Sequence, residues 1–217
     1  RLFRHQTNRG ACIVTNELIE YSKGDFVALI NSDDYWCDED KLAYQLDILL
    51  ENPSVGASFG RARFIDKRGK DISKNRLSFG SVFAQVNRSQ GEWLRFFFDH
   101  GNCICHPTMV IRRECYAALG AYNNNLRQLP DFDMWIRLVK QYPIHISERE
   151  LISFRVLPGE SASSQTVGNS VRTMNEHFLI AQTFFHGVEE QQLKDGFSDL
   201  LRYPDTLSEL DLEIEKA

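Results

Sequence analysis

Five apolar residues, Phe26-Val27-Ala28-Leu29-Ile30, run without interruption into Asn31-Ser32-Asp33-Asp34. A continuous apolar run of this length predicts a short strand buried on both faces. The abrupt switch to amide, hydroxyl and carboxylate marks where that strand surfaces. Gly10 to Ser22 precede it, with Ala11, Val14, Leu18 and Ile19 at helical spacing, and Gly24 is placed to stop that helix as a C-cap glycine. Helix, glycine, buried strand and acidic loop make half of a βαβ unit. Such units build α/β folds with mostly parallel sheets, whose ligands sit outside the carboxyl ends of the strands.

The rest of the chain continues the alternation. Residues 38 to 51 predict an amphipathic helix with Asp38, Glu39 and Asp40 at its positive end, Leu42, Leu46, Leu49 and Leu50 as its buried stripe, and Asn52-Pro53 as its stop. Val55 to Ile65 predicts a strand and Asp66 to Gly69 a turn, while residues 70 to 89 carry no clear period. Trp93 to Phe98 predicts a short apolar helix, Thr108 to Ile111 a strand, and Arg113 to Leu119 a helix closed by Gly120. A further helix starts near Asp131, and Ile144 to Ile152 predicts an edge or hairpin strand. Ser161, Ser163, Ser164 and Thr166 mark a loop, Val171 to Phe185 a helix, and Gly187 onward a peripheral, acidic helical tail. The expected organisation is one unit over 1–160 and a helical extension over 161–217.

Composition narrows the function classes. In 217 residues, 42% are hydrophobic and 25% charged, with a net charge of −5, which excludes a disordered chain and a generally basic nucleic-acid binder. No apolar run reaches the roughly 18 to 20 residues that span a bilayer. Five scattered cysteines, Cys12, Cys37, Cys103, Cys105 and Cys115, make no disulfide framework, and a reducing, cytoplasmic setting fits them. Cys103, Cys105 and His106 are close in sequence but lack a second Cys/His pair at zinc spacing, so buried thiols are the expectation.

Two acidic clusters carry chemistry. Adjacent carboxylates at Asp33 and Asp34 raise each other's proton affinity unless a cation compensates them. Mg²⁺ or Mn²⁺ binds one or two carboxylates and completes its shell with water and phosphate oxygens. A turn with Asp34 capping the next helix is the simpler alternative. Asp131 and Asp133 open a helix, where capping and dipole stabilisation are the ordinary roles.

Three blocks resemble the family 2 glycosyltransferases of the GT-A fold. The first runs from Asn8, Gly10 and Asn16 through Lys23-Gly24-Asp25 and the apolar run to Asp33-Asp34-Tyr35-Trp36. The second is Lys41-Leu42 through Gln45 to Asn52-Pro53, and the third His106-Pro107-Thr108 through Arg112-Arg113 and Gly120 to Asp131-Phe132-Asp133-Met134-Trp135-Ile136-Arg137-Leu138. Together they cover about residues 5 to 160.

The resemblance implies a mixed, mostly parallel GT-A sheet flanked by helices, lacking its first βαβ portion and with it much of the nucleotide-base pocket. It implies metal-dependent, inverting transfer of a sugar from a nucleotide-sugar donor to a glycan or lipid-linked acceptor, in polysaccharide or glycan biosynthesis. Asp33 and Asp34 would hold Mg²⁺ or Mn²⁺, and Asn31, Asp33, Asp34 and Arg155 would face the donor. Asn31 stands where the family has the first Asp of its motif, and Leu157 where a His is common. Asp131 corresponds to the general base, with Pro130 in place of a preceding Glu, and His106 and Trp135 fall on the acceptor side. Membrane-linked products leave room for peripheral attachment at the inner face of a membrane, and the C-terminal helices for a homodimer contact. No nucleic acid is expected. A non-catalytic GT-A-like scaffold is the rival reading, and a nucleotidyltransferase the third.

Overall fold

The computed structural model describes residues 2–157, 159, 166–202 and 208–216; the loop expected at Ser161, Ser163 and Ser164 lies outside them. The first helix, α1 (Ala11–Tyr21), ends at Ser22, whose N–H bonds the carbonyls of Ile19 and Leu18. Gly24 therefore lies in the link beyond the helix rather than at its cap. The apolar run forms β1 (Phe26–Ala28), which is only half-buried. Its sole neighbour among the described residues is β5 (Val110–Arg112), antiparallel, with Val27 opposite Ile111. One edge and part of one face of the strand consequently stay open, and Ile30 is exposed. An apolar run reports the tendency to be covered, not whether a cover is at hand.

The sheet order is β1-β5-β3-β6-β2, with β2 (Tyr35–Trp36), β3 (Ala57–Ile65) and β6 (Ile144–Arg155), and with β4 (Asp71–Ile72) paired on β3. It is mixed, as expected, but its parallel character is confined to β3 and β6 among the described residues. The pairings β1–β5, β3–β5, β3–β4 and β2–β6 are antiparallel. β6 was expected at an edge or in a hairpin; it instead lies between β3 and β2. The turn before β4 forms as expected, with Asp66 accepting the N–H groups of Arg68 and Lys70 through its carboxylate.

Helices cover the sheet. α2 (Lys41–Glu51) buries Lys41, Gln45 and Leu49 and exposes Leu42 and Leu50. Of the expected leucine stripe Leu49 is buried, while Lys41 and Gln45 take the inward places that Leu42 and Leu50 were expected to fill. α3 (Gln90–His100) starts from Ser89, which forms a capping box with Glu92. α4 (Arg113–Leu119) stops at Gly120, where φ is 79°. α5 (Pro130–Gln141) packs Phe132, Met134, Trp135, Leu138 and Val139 into the core. Its Phe132 meets Phe97 of α3 edge-on at 5.7 Å between ring centres, a favoured aromatic geometry.

The C-terminal part joins this core. α6 (Val167–Ala181) begins at Thr166, whose hydroxyl accepts the Asn169 N–H. α7 (Glu190–Phe197) buries Leu193 and Phe197 against α3, so this segment is not the peripheral tail its weak periodicity predicted. α8 (Glu209–Lys216) follows. The α3–α7 crossing depends on two glycines. A Cβ on Gly196 would sit 2.2 Å from the Gly91 carbonyl oxygen, and one on Gly91 would sit 2.5 Å from the Gln192 carbonyl. Backbone cannot yield there cheaply. Gly196→Ala is expected to destabilise the fold by about 1–3 kcal/mol, read as an earlier urea midpoint; an unchanged midpoint would contradict this packing.

Candidate active site

The acidic loop is held by the end of β6. The Arg155 N–H donates to Asp34 Oδ1 at 2.8 Å, Arg155 Nε donates to the Asp33 carbonyl at 2.8 Å, and Nη1 donates to the Asp66 carbonyl at 2.9 Å. The guanidinium thus braces the loop through backbone oxygens. Asn31 Nδ2 donates to Asp34 Oδ2 at 3.1 Å. Burial pushes the Asp34 carboxyl above its ordinary value and Asp33 adds to this, against the two hydrogen bonds it accepts. Asn at position 31 serves that carboxylate as a donor, whereas an Asp there would oppose it with like charge.

Asp33 differs. Its carboxylate is half-buried and takes no hydrogen bond or ion pair from the described residues. An open carboxylate next to a braced one suits a hard cation that needs only one or two protein oxygens. Among the described residues no group of three or more His, Cys, Asp or Glu side chains is arranged around a common metal position. Any cation here therefore relies on outside oxygens for most of its shell.

Asp131 occupies the second position of α5, not its cap. Leu129 is the cap residue and offers no side-chain bond. Asp131 Oδ2 accepts from Asn102 Nδ2 at 3.0 Å and Oδ1 from the Phe132 N–H at 2.9 Å, which leaves each oxygen acceptor capacity. Asp133, in contrast, is committed to Arg137, with Nη2 at 2.7 Å and Nε at 3.0 Å. Arg137 also donates to the carbonyls of Leu119, Gly120 and Ala121. It ties α5 to the end of α4, a structural task.

Cys105 opens the segment that lies between the two acidic sites. Its thiol is fully buried and is held well above its ordinary value by that burial, with Asp34 and Asp131 both adding to the rise. The same segment contacts both sites, because the Leu29 N–H donates to the Met109 carbonyl at 3.5 Å and His106 packs against α5. The next residues, His106–Thr108, form a 3-10 turn. His106 Nε2 shares a 2.7 Å hydrogen bond with the Tyr122 hydroxyl, and its ring meets Trp135 edge-on at 5.4 Å. Burial lowers the His106 proton affinity, opposed by nearby Asp131. Trp135 is 0% exposed and packs edge-on against Phe59 at 4.8 Å. It has no face to offer a sugar, so its influence on this side passes through His106. Cys103 is buried with its thiol pushed up to about 12, a packing residue rather than a ligand.

One buried polar pair and one buried carboxylate had no buried role assigned from the sequence. Lys41 Nζ donates to Gln45 Oε1 at 2.8 Å and lies 4.9 Å above the Trp36 ring. Gln45 Nε2 donates to the carbonyls of Ser58 at 2.8 Å and Thr108 at 3.0 Å, linking α2 to the turn that bears His106. The i, i+4 spacing of Lys41 and Gln45 was visible, but leucines beside them carried the stronger burial signal. The carboxylate is Glu176 on α6, which accepts backbone N–H groups from residues 127 to 129. A glutamate in mid-helix gave no cue.

Burial lowers the Lys41 ammonium from 10.5 to about 8, with Asp38 opposing. Between those values the unfolded chain binds the extra proton, so stability gains with rising pH. Relative to Lys41→Met, the native protein is expected to gain about 3 kcal/mol from pH 8 to 10.5, measured by urea unfolding across that range. A flat difference would refute the buried charge.

The chain resembles known proteins in sequence and in fold. The profile described as "Glycosyl transferase family 2" matches residues 1–120. An uncharacterised glycosyltransferase of Rickettsia felis is 24% identical over 191 residues, covering 87% of this chain and 30% of that protein. One from Haemophilus influenzae is 25% identical over 178 residues, covering 82% and 65%. The chain thus spans about a third of the length of its Rickettsia relatives. Among solved structures, S. aureus TarS 1–349 in complex with UDP-GlcNAc aligns with a TM-score of 0.58 at 14% identity, covering 100% of this chain and 73% of that one. The mannosyltransferase PcManGT from Pyrobaculum calidifontis, in complex with GDP-Man and Mn2+, aligns at 0.50 and 16%, covering 100% and 50%. At such identity these two speak to the fold, which is GT-A. With the family profile spanning more than half of its length, the chain belongs to the family 2 glycosyltransferases.

Proposed function

We propose that this chain carries the reaction centre of an inverting glycosyltransferase that moves a sugar from a nucleoside-diphosphate donor to an acceptor hydroxyl. The supporting observation is that the segment Cys105 to Met109 touches both acidic sites: the Leu29 N–H, just before the Asn31–Asp34 loop, donates to the Met109 carbonyl, and the His106 ring packs on Trp135 of the Asp131 helix. Asp131 takes the acceptor proton at Oδ1 or Oδ2 as the hydroxyl attacks the anomeric carbon from the face opposite the leaving group. A hydroxyl is a poor nucleophile until that proton moves, and a positioned carboxylate contributes roughly 10² to 10⁴-fold. Asn102 orients the carboxylate, and the His106–Tyr122 pair lines the approach to it. Asp33, with Asp34 beside it, would hold Mg²⁺ or Mn²⁺, which would offset charge on the departing diphosphate. Arg155 keeps that loop in place. Relatives bound to UDP-GlcNAc and to GDP-Man with Mn2+ support a nucleotide-sugar donor of this class.

The test uses the full-length protein with Mn²⁺ and a panel of UDP- and GDP-sugars. Release of nucleoside diphosphate that depends on Mn²⁺, with product of inverted anomeric configuration by NMR, is the expected result. Retention of configuration would overturn the single-displacement mechanism. Nucleotide binding without turnover toward donor water or any glycan acceptor would favour a scaffold, the reading that Asn31 in place of the family's acidic residue supports.

A further inference from the structure

The N-terminus of α5 has no cap of its own. Leu129 supplies no side-chain acceptor, Pro130 has no N–H, and the Phe132 N–H is taken by Asp131 Oδ1. The three N–H groups immediately upstream of the helix are taken by α6. Glu176 Oε1 accepts the Arg127 N–H at 2.9 Å, and Oε2 accepts those of Gln128 at 2.7 Å and Leu129 at 2.8 Å. Glu176 is 4% exposed, while Val167, Val171, Met174 and Phe178 of the same helix lie outside at 85%, 53%, 71% and 66%. Hydrophobicity would have turned α6 the other way. Its orientation answers to the carboxylate and to Ile180 beside it.

The same segment is gripped from the other side by α1, where Cys12 Sγ donates to the Leu126 carbonyl at 3.3 Å. The Cys12 thiol is pushed up chiefly by burial, with Glu176 and Asp131 adding to the rise. His177, the neighbour of Glu176, meets the ring of Phe132 edge-on at 5.6 Å, and Phe132 follows Asp131 directly. Asp131 lies two residues beyond Leu129. Whatever fixes residues 127 to 129 therefore fixes where the Asp131 carboxylate begins.

We propose that Glu176 is a positioning residue for the transfer reaction: its carboxylate, accepting the three backbone N–H groups that lead into α5, sets the placement of Asp131. This rests on Asp131 being the base. Glu176 does not touch substrate. It adds negative charge at the positive end of the α5 dipole, where an anion is favoured, and it makes the C-terminal extension part of the reaction centre. Misplacement of a base by about an ångström is enough to cost about 100-fold in rate, while a donor held by the Asp33 loop is untouched.

The experiment compares Glu176→Gln, Glu176→Asp and Asp131→Asn in the full-length protein. In Glu176→Gln the new amide group faces backbone donors with a donor. The expected result is a kcat reduced about 10- to 100-fold with the donor KM within about twofold, faster hydrogen exchange at residues 127 to 129, and partial recovery in Glu176→Asp. Unchanged kcat alongside faster exchange at those amides would overturn the proposal, as would equal losses in kcat and in donor affinity. Should Glu176→Gln fail to fold, Glu176→Asp decides by the same split of kcat against KM. Full activity in Asp131→Asn would instead remove the base assignment and the proposal with it, while full activity in both Glu176 variants beside an inactive Asp131→Asn removes the positioning role alone.

Discussion

Asp131→Asn is expected to lower turnover by about 10² to 10⁴-fold while leaving donor affinity within about twofold. The substitution is nearly isosteric: the amide oxygen keeps the bond from the Phe132 N–H, and the amide nitrogen takes the place of the oxygen that accepted from Asn102, whose own side-chain amide must flip to meet it. What it loses is basicity. Stability is therefore expected to change little, and the loss falls in kcat rather than in the nucleotide KM. Steady-state kinetics combined with calorimetric titration of the nucleoside diphosphate separates the two. Near-normal turnover would remove Asp131 as the base and leave it as a residue of the first helical turn. The same substitution at Asp133 serves as the control, because that carboxylate is already paired with Arg137, and its removal is expected to cost stability before rate.

Asp33→Asn is expected to abolish the dependence of donor binding on Mn²⁺ and to reduce turnover by about 100-fold or more, the several kcal/mol a Lewis-acidic cation supplies to a departing oxyanion. The argument is one of availability. Asp34 has both oxygens engaged, by the Arg155 N–H and the Asn31 amide, whereas the Asp33 carboxylate is unengaged among the described residues. Asp34→Asn is expected to disturb the loop itself, because an amide nitrogen would face either the Arg155 N–H or Asn31 Nδ2. Calorimetric titration of Mn²⁺ with UDP present reads the difference. Unaltered Mn²⁺ binding in Asp33→Asn would exclude this carboxylate as a ligand.

Much of the secondary structure was legible because it depends on short-range chemistry. Gly120 announces a helix end. Asp66 to Gly69 announces a tight turn. Misreadings arose where burial depends on a distant partner. The leucines of α2 promised an apolar stripe, yet Lys41 and Gln45 lie inside because Ser58 and Thr108 supply acceptors there. α7 looked peripheral because eight residues with a charged face carry little signal, yet Gly91 and Gly196 let two backbones approach closely enough to bury Leu193 and Phe197.

The candidate site divides along the same line. Asp33, Asp34 and Asp131 stand out in the sequence because each is a carboxylate at the end of an apolar segment or the start of a helix, positions where charge is costly or useful. Their partners do not. That Asn31 donates to Asp34, that Arg155 spends its guanidinium on the carbonyls of Asp33 and Asp66, and that Trp135 is sealed under His106 follow from contacts between residues up to 122 apart. Local patterning records what each segment needs. Which residue meets that need, as Glu176 meets it for α5, is set only when the chain closes on itself, because hydrogen bonds and burial are properties of pairs in space.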